Sequence, residues 1–214
     1  SNGSVMADWE TWFDAAAGPL TTMPLVLVQG NHEANDQFVY GLFPTPNDQG
    51  SFGLDYGPVH FSVVNDNAYG EWTAAGMAEW LGADLAATDL PWRVPVFHRP
   101  IVSSSNPHGE DATNKTYLLP VIDAAGVPLV FSGHAHNYER SHPVRGMVEA
   151  EGGTVYFVTG GAGAPLYPAS YGRAYTAVEA KIEHWLLVDA NATTWTSTTF
   201  DLAGNVIDFV VFTR

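Results

Sequence analysis

The stretch Val127-Pro128-Leu129-Val130-Phe131-Ser132-Gly133-His134-Ala135-His136 decides the predicted fold, because a short apolar run leads directly into two histidines. Two other stretches follow the same plan. Residues 94–97 precede His98, and residues 25–28 precede Gly30-Asn31-His32-Glu33. Short apolar runs bounded by glycine or proline are typical of strands buried on both faces of a parallel sheet. The pattern therefore predicts an α/β fold in which polar residues follow three buried strands.

The carboxyl ends of such strands form one edge of a layered α/β sheet, where ligands usually bind. We therefore expect Asn31, His98, His134 and His136 to lie close together, although they are far apart in the sequence. Imidazole nitrogens and amide oxygens are suitable ligands for first-row metal ions. Residues two apart in a strand share a face, so His134 and His136 could bind one metal ion or two adjacent ions.

Three further histidines lack this setting. A lone histidine is usually a surface residue or a core residue. We accordingly expect no metal ligation by His60, His142 and His184.

The order of the motifs resembles that of a known family. GNHE at 30–33, a strand that ends in V-x-H at His98, and GHxH at 133–136 followed by NYERS are similar to signatures of the calcineurin-like metallophosphoesterases. The likeness is strongest to their purple acid phosphatase-like branch, and it extends over residues 51–61, 80–100 and 154–165. It implies an α/β fold that is part of a two-sheet αββα metallophosphoesterase sandwich.

The resemblance also implies roles for these residues. Asn31, His98 and His134 would bind one metal ion and His136 a second, with Fe, Zn or Mn as the possible metals. Two such ions clamp the phosphoryl oxygens and activate a bound water for attack on phosphorus. His32, which adjoins Asn31, would stabilise the transition state or protonate the leaving oxygen.

His108 lies in the polar loop 103–108, ten residues after His98. It resembles a histidine that faces the substrate in that family. A solvated loop histidine is an equally good interpretation of the sequence, so both interpretations stay open at this point.

The sequence departs from the family in one respect. The signatures GDxG and GDxxY, which supply two aspartates, are absent, and only 30 residues precede Asn31. We therefore expect residues 1–214 to be a single catalytic domain that lacks its N-terminal portion. The chain alone should then be inactive and should expose an unpaired sheet edge or an apolar face, because buried strands need neighbours on each side.

Composition excludes several classes of partner. The chain has 8 basic and 23 acidic residues and a formal net charge of −15, which argues against nucleic-acid binding over a broad surface. No apolar run approaches the roughly 18 residues of a membrane span. We expect a small phosphorylated substrate and the missing N-terminal segment as partners. High acidity and the absence of cysteine favour a secreted or periplasmic protein.

The remaining elements are predicted from periodicity. We expect a helix at residues 8–17, a second with Met77, Trp80, Leu81 and Leu85 in the core, and a third from Asn114 to Gly126 that turns Tyr117 inward. Beyond residue 154 successive strands are expected, with a turn at 202–205. Glu139 and Arg140 should brace the ligand loop by an ion pair.

Three function classes remain open. The first is a phosphomonoesterase with a dinuclear metal centre. The second is a phosphodiesterase or nucleotidase of the same superfamily, which only the shape of the pocket would distinguish. The third is a non-catalytic structural or binding module that retains the fold, an interpretation that the absent aspartates favour.

Overall fold

A mixed sheet of seven strands positions the histidine stretches. The computed structural model describes residues 2–33, 36–46, 50–68, 72–168 and 172–214. The sheet contains, in spatial order, β1 (Phe52–Tyr56), β2 (Val59–Val63), β3 (Trp92–Val96), β4 (Leu129–Ser132), β8 (Val155–Thr159), β5 (Tyr138–Ser141) and β9 (Thr176–Ala180). Strands β2, β3, β4 and β8 run parallel, so their carboxyl ends lie at the same edge.

The other elements within the described ranges are five helices, a three-stranded antiparallel sheet and a short ribbon. The helices are α1 (Met6–Leu20), α2 (Gln37–Leu42), α3 (Ala74–Ala86), α4 (Ala112–Tyr117) and α5 (Leu119–Ala125). The second sheet contains β10 (His184–Ala190), β11 (Thr194–Asp201) and β12 (Val206–Thr213), and the ribbon pairs β6 (Val144–Arg145) with β7 (Val148–Glu149). Among the described helices, none is long and apolar enough to cross a membrane.

Alternation along the parallel strands divides the core into two clusters. Val130 of β4 faces the cluster that includes Leu81 of α3 and Ile122 of α5. Its neighbours Leu129 and Phe131 face the opposite cluster, which includes Trp195 of the second sheet. Helices therefore cover one face of the seven-stranded sheet and a second sheet covers the other. This mixed α/β architecture agrees with part of the αββα sandwich that the sequence predicts.

Several predicted elements are confirmed with small changes. Helix α1 extends three residues beyond the predicted residue 17, and α3 buries Met77, Leu81 and Leu85. The third predicted helix ends at Gly126, whose φ of 60° places it in the left-handed region. Pro120 divides that helix into α4 and α5, because proline lacks the amide hydrogen that a continuous helix requires.

Two side chains of this helix differ from the prediction. Asp111, not Asn114, caps α4, since its carboxylate accepts a hydrogen bond from the amide of Asn114 at 2.8 Å. The Asn114 side chain is buried and bonds elsewhere, and Tyr117 is 42% exposed and does not face the core. The prediction was wrong because an Asp three residues earlier serves as the cap and so shifts the helix start.

The predicted strand at residues 25–28 is also wrong. This segment forms no regular structure and has no strand partner within the described part of the chain, and Leu25 and Val26 are 43% and 44% exposed. Residues 23–28 instead border an apolar groove of about 780 Å³, whose far wall includes Leu54 of β1, Phe61 of β2 and Val96 of β3. A strand is defined by its ladder of hydrogen bonds, so an apolar run without a neighbour stays irregular.

Glu139 and Arg140 do not pair with each other, in contrast to the prediction. They are adjacent in β5, and neighbouring residues of a strand point to opposite faces. Arg140 donates to Asp208 of β12 at 2.6 Å, which joins the two sheets. Buried Glu139 accepts from the amide of Ser104 at 2.7 Å and so anchors the loop that follows β3.

Candidate functional site

Three polar atoms meet at the carboxyl edge of β3 and β4. The Nε2 atom of His98 lies 2.7 Å from Oδ1 of Asn31. The Nδ1 atom of His134 lies 3.1 Å from the same oxygen and 3.0 Å from the His98 nitrogen. Strands β3 and β4 are neighbours in the sheet, so the two histidines that follow them lie close together. Residues 27–33 place Asn31 beside them.

The spacing of these atoms suits one metal ion. Bonds of about 2.1 Å hold adjacent ligand atoms about 3.0 Å apart in octahedral geometry and about 3.4 Å apart in tetrahedral geometry. The three observed separations, which are also hydrogen-bond distances, are nearer the octahedral value. Among the described residues, no three His, Cys, Asp or Glu side chains lie together in a way that could hold a metal ion. The third donor here is an amide, so the described residues fit part of a coordination sphere.

The electrostatic environment keeps both imidazoles neutral. Burial lowers the pKa of His98 to about 3, and His134 and Arg99 act in the same direction. Burial, followed by the neighbouring His108, lowers the pKa of His134 to about 4. A neutral imidazole has the free lone pair that a metal ion requires. The cluster is therefore in a ligand-competent state at neutral pH.

Gly30 allows Asn31 to approach this cluster. Its amide donates to Oε2 of Glu33 at 2.7 Å, which closes a tight turn. A Cβ atom at position 30 would lie 2.9 Å from Cε1 of His98 and 2.8 Å from the Glu33 carboxylate. Those separations are shorter than real Cβ contacts, so a side chain at position 30 would force the His98 ring or the Glu33 carboxylate to shift.

A buried ion pair fixes the loop that carries His98. Asp66 accepts from the backbone amide of Arg99 at 2.6 Å and from the Arg99 guanidinium at 3.3 Å. Asn114 donates to the same carboxylate at 2.9 Å and to the Arg99 carbonyl at 2.8 Å. Burial raises the pKa of Asp66 to about 6, although these hydrogen bonds oppose the shift. Sequence reasoning missed this network, although Arg99 directly follows His98.

His136 lies at the border of the cluster, on the loop between β4 and β5. Its Nδ1 atom is 2.9 Å from the carbonyl oxygen of Pro165. Its ring stacks on the phenol of Tyr167, with centroids 4.3 Å apart and an interplanar angle of 12°. Because a carbonyl only accepts, Nδ1 must carry the hydrogen, and Nε2 is the nitrogen available to a ligand.

His108 and His32 complete the set of predicted residues. The ring centroid of His108 lies 4.5 Å from that of His134 and 6.5 Å from that of His136. His108 and His134 have φ values of 64° and 63°, a conformation that non-glycine residues adopt rarely and that is concentrated at functional sites. His32 is exposed and contributes to the depressed pKa of His98.

The structure thus brings Asn31, His98 and His134 into mutual contact and places His136 and His108 beside them. The three histidines that we did not expect to bind metal lie elsewhere. His60 is buried between the carboxylates of Asp55 and Asp84, and His184 is buried with Nε2 2.9 Å from the hydroxyl of Thr159. His142 is exposed. Tyr167, which touches two of the site histidines, carries no signal in the sequence that would have identified it.

Comparisons with known proteins agree with this arrangement. The family model "Calcineurin-like phosphoesterase" matches residues 1–138. Purple acid phosphatase 15 of Arabidopsis thaliana is 31% identical over 173 residues, which are 72% of this chain and 32% of that protein. Purple acid phosphatase 18 of the same plant is 28% identical over 177 residues. The chain thus spans about a third of the length of these relatives, since it covers 39% of the second.

Solved structures show the same fold at lower identity. Purple acid phosphatase PPD1 from yellow lupin superimposes with a TM-score of 0.72 at 22% identity, over 80% of this chain and 34% of that chain. At these identities the likeness speaks for the fold alone.

Proposed function

This chain belongs to the calcineurin-like phosphoesterase family, and on that premise we propose that its histidine cluster is part of a metal-dependent phosphatase site for small phosphate monoesters. The observation that carries the proposal is the triangle of donor atoms from Asn31, His98 and His134, with sides of 2.7 to 3.1 Å. The two ring nitrogens face one amide oxygen and each other at hydrogen-bond distance, and all three are atoms that can bind a first-row metal ion.

The ligand assignment follows from the same geometry. Asn31, His98 and His134 would hold one ion, and Nε2 of His136 would serve a second, with Fe, Zn or Mn as candidates. Bound ions of this kind supply a water of lowered pKa and neutralise phosphoryl charge. The buried pair of Asp66 and Arg99 keeps the His98 loop in place while substrate enters and leaves.

His32 and His108 would act on the substrate itself. Exposed His32 adjoins ligand Asn31, so its imidazole can donate a proton to the leaving oxygen. Exposed His108 meets the His134 ring edge-on, with centroids 4.5 Å apart, and its centroid lies 5.4 Å from that of the Tyr167 phenol. An imidazole at that position can donate a hydrogen bond to a phosphoryl oxygen.

The carboxylates that complete both metal positions would come from polypeptide outside residues 1–214. Three observations support this part of the proposal: no three His, Cys, Asp or Glu side chains form a metal site among the described residues, the chain spans about a third of its relatives, and an apolar groove of about 780 Å³ lies open. A strand seated in that groove would pair with residues 25–28 and cover exposed Met23 and Tyr56. The 214-residue chain alone would then be inactive.

Two alternatives have their own tests. A phosphodiesterase or nucleotidase would use the same residues, and pocket shape would decide between substrates. A non-catalytic binding module is favoured by the lack of a three-residue His, Cys, Asp or Glu site among the described residues. We also place the protein in the secreted or periplasmic space, because it is acidic and contains no cysteine.

The decisive experiment compares two polypeptides. The 214-residue chain and the longest natural polypeptide that contains it are purified, analysed for metal content, and assayed with an aryl phosphate and with the matching bis-aryl phosphate. The proposal expects two metals and monoesterase activity in the longer polypeptide only. Preference for the diester would favour a phosphodiesterase. A longer polypeptide that binds no metal and has no activity would favour the binding module. Full activity of the 214-residue chain would refute the proposal that carboxylate ligands come from outside residues 1–214.

A further inference from the structure

The loop at residues 160–168 makes three separate contacts with one histidine. His136 is the residue that the proposed function assigns to the second metal ion. Its Nδ1 atom is 2.9 Å from the carbonyl oxygen of Pro165, its own carbonyl accepts from the amide of Tyr167 at 2.9 Å, and its ring stacks on the Tyr167 phenol. We call residues 165–167 the clamp. Backbone and side chain of His136 are thus both restrained by Pro165 and Tyr167.

The loop 160–168 that contains the clamp is itself fixed at both ends. Gly160 follows β8, and a Cβ atom there would lie 2.2 Å from the carbonyl oxygen of Ala135, so the loop starts in close contact with the histidine stretch. The amide of Gly160 also donates to the carbonyl of Asn137 at 3.2 Å. At the other end, the carbonyl of Pro168 accepts from the amide of Asn106 at 3.4 Å, in the loop that carries His108.

The two contacts that involve the His136 ring limit different degrees of freedom. The Pro165 carbonyl selects the tautomer with hydrogen on Nδ1, because a carbonyl cannot donate. The stacked phenol at 4.3 Å and 12° limits rotation of the ring about its χ2 bond, since rotation would break the parallel contact. An imidazole with a fixed tautomer and a fixed plane is a better metal ligand, because binding requires less ordering.

We propose that Tyr167 is a positioning residue that, together with the Pro165 carbonyl, holds His136 as the Nδ1-protonated tautomer with Nε2 ready for a metal ion. The inference rests on the proposed function for the identity of the ligand, but the orientation of the ring is a property of the metal-free protein. Loss of the phenol ring should therefore be visible both without metal and with it.

The first test uses the longest natural polypeptide that contains this chain, freed of metal and labelled with ¹⁵N-histidine. Two-bond ¹H–¹⁵N spectra are recorded at about pH 8, above the ordinary histidine pKa of about 6.5. The proposal expects a single Nδ1-protonated tautomer of His136 in the wild type and in Tyr167→Phe, which keeps the ring. Tyr167→Ala should show averaging of both tautomers, because an unstacked ring can rotate away from the Pro165 carbonyl. Tyr117→Ala removes an exposed tyrosine elsewhere and serves as the matched control, with the wild-type pattern expected.

The second test measures Zn²⁺ affinity by calorimetry in the longest natural polypeptide that contains this chain. Tyr167→Ala should weaken one of the two sites by about 10- to 100-fold, and Tyr167→Phe should stay within about threefold of wild type. If Tyr167→Ala does not fold, Tyr167→Leu replaces it, because leucine retains bulk without a stacking ring.

The outcomes separate the inference from the function on which it rests. Tautomer averaging in the wild type, or a fixed tautomer and unchanged affinity in Tyr167→Ala, would overturn the role of Tyr167. A wild-type protein without metal affinity would overturn the proposed function instead, while the tautomer spectra would still decide the role of Tyr167.

Discussion

The Nε2 atom of His98 lies 2.7 Å from Oδ1 of Asn31, although 67 positions separate the two residues in the chain. His98 is fixed by the end of β3 and by the buried pair of Arg99 and Asp66. Asn31 reaches it through a turn that Glu33 closes. The contact therefore depends on two independent loops, and a change in either loop should impair metal binding at this point.

Replacement of Asn31 tests whether the amide oxygen is a ligand. Asn31→Leu keeps the approximate volume but removes the oxygen, so Zn²⁺ affinity should fall by at least about tenfold. Asn31→Asp retains an oxygen at the same place and should bind at least as well as the wild type. Both affinities are measured by calorimetry in a polypeptide shown to bind Zn²⁺. Wild-type affinity in Asn31→Leu would exclude the residue as a ligand.

His32 should contribute to turnover without binding metal. Its imidazole is exposed beside Asn31, where a leaving oxygen can receive its proton. His32→Ala should lower kcat by about 10² to 10⁴, the usual range for a positioned general acid, and leave metal content unchanged. His142→Ala removes another exposed histidine and is the control, with wild-type kcat expected. Loss of metal from His32→Ala would instead identify a ligand.

Gly30 should tolerate no side chain. A Cβ atom would approach the His98 ring to 2.9 Å and the Glu33 carboxylate to 2.8 Å. Gly30→Ala should therefore displace His98 and lower Zn²⁺ affinity by about tenfold or more. A Cβ atom at Gly41 of α2 would meet no atom of another segment within 4 Å, so Gly41→Ala should keep the affinity and raise stability by up to about 1 kcal/mol. Equal affinities in the two variants would contradict the packing argument.

The pair of carboxylates around His60 predicts a pH-dependent stability. Nδ1 of His60 lies 2.6 Å from Asp55 and Nε2 lies 2.9 Å from Asp84, which joins the β1–β2 hairpin to α3. Burial lowers the pKa of His60, but the hydrogen bonds and charges of both carboxylates outweigh it and leave the pKa above its ordinary value of 6.5. The charged histidine is thus favoured by the folded state.

A raised folded-state pKa fixes the sign of the effect. The stabilisation from His60 is fully present below about pH 6.5 and is lost as pH rises through the folded-state pKa, with a slope of at most about 1.4 kcal/mol per pH unit. Urea unfolding of wild type and His60→Gln from pH 5 to pH 9 measures the difference. The free energies of unfolding of the two proteins should converge as pH rises. A constant difference across that range would show that His60 does not titrate in this way.

Much of the fold could be predicted from local patterns. The apolar runs before His98 and His134 form strands β3 and β4, and the stripe of Met77, Leu81 and Leu85 forms the buried face of α3. These patterns reflect burial, which acts on each segment through its own sequence of apolar and polar residues. The segment 25–28 shows the limit of such reasoning, because its sequence is that of a strand but pairing requires a neighbour.

The candidate site was predictable in part for the same reason. The strand-end position of His98 and His134 could be inferred, because strand ends of a parallel sheet share one edge. Asn31 reaches the same edge, but from a segment that has no strand partner among the described residues. Their roles as metal ligands remain a prediction. The bonding of Asn114 to Asp66 and the pairing of Arg140 with Asp208 could not be inferred, because the partners are 48 and 68 positions away.

The sequence by itself therefore determined the α/β class, the buried strands and the edge at which the histidines gather, because periodicity and strand ends are local properties. Only the tertiary structure decided which groups touch. It set the 2.7 Å contact of His98 with Asn31, the stacking of Tyr167 on His136, and the two carboxylates at His60. Such contacts arise when distant segments pack in one three-dimensional arrangement, so no short stretch of sequence contains them.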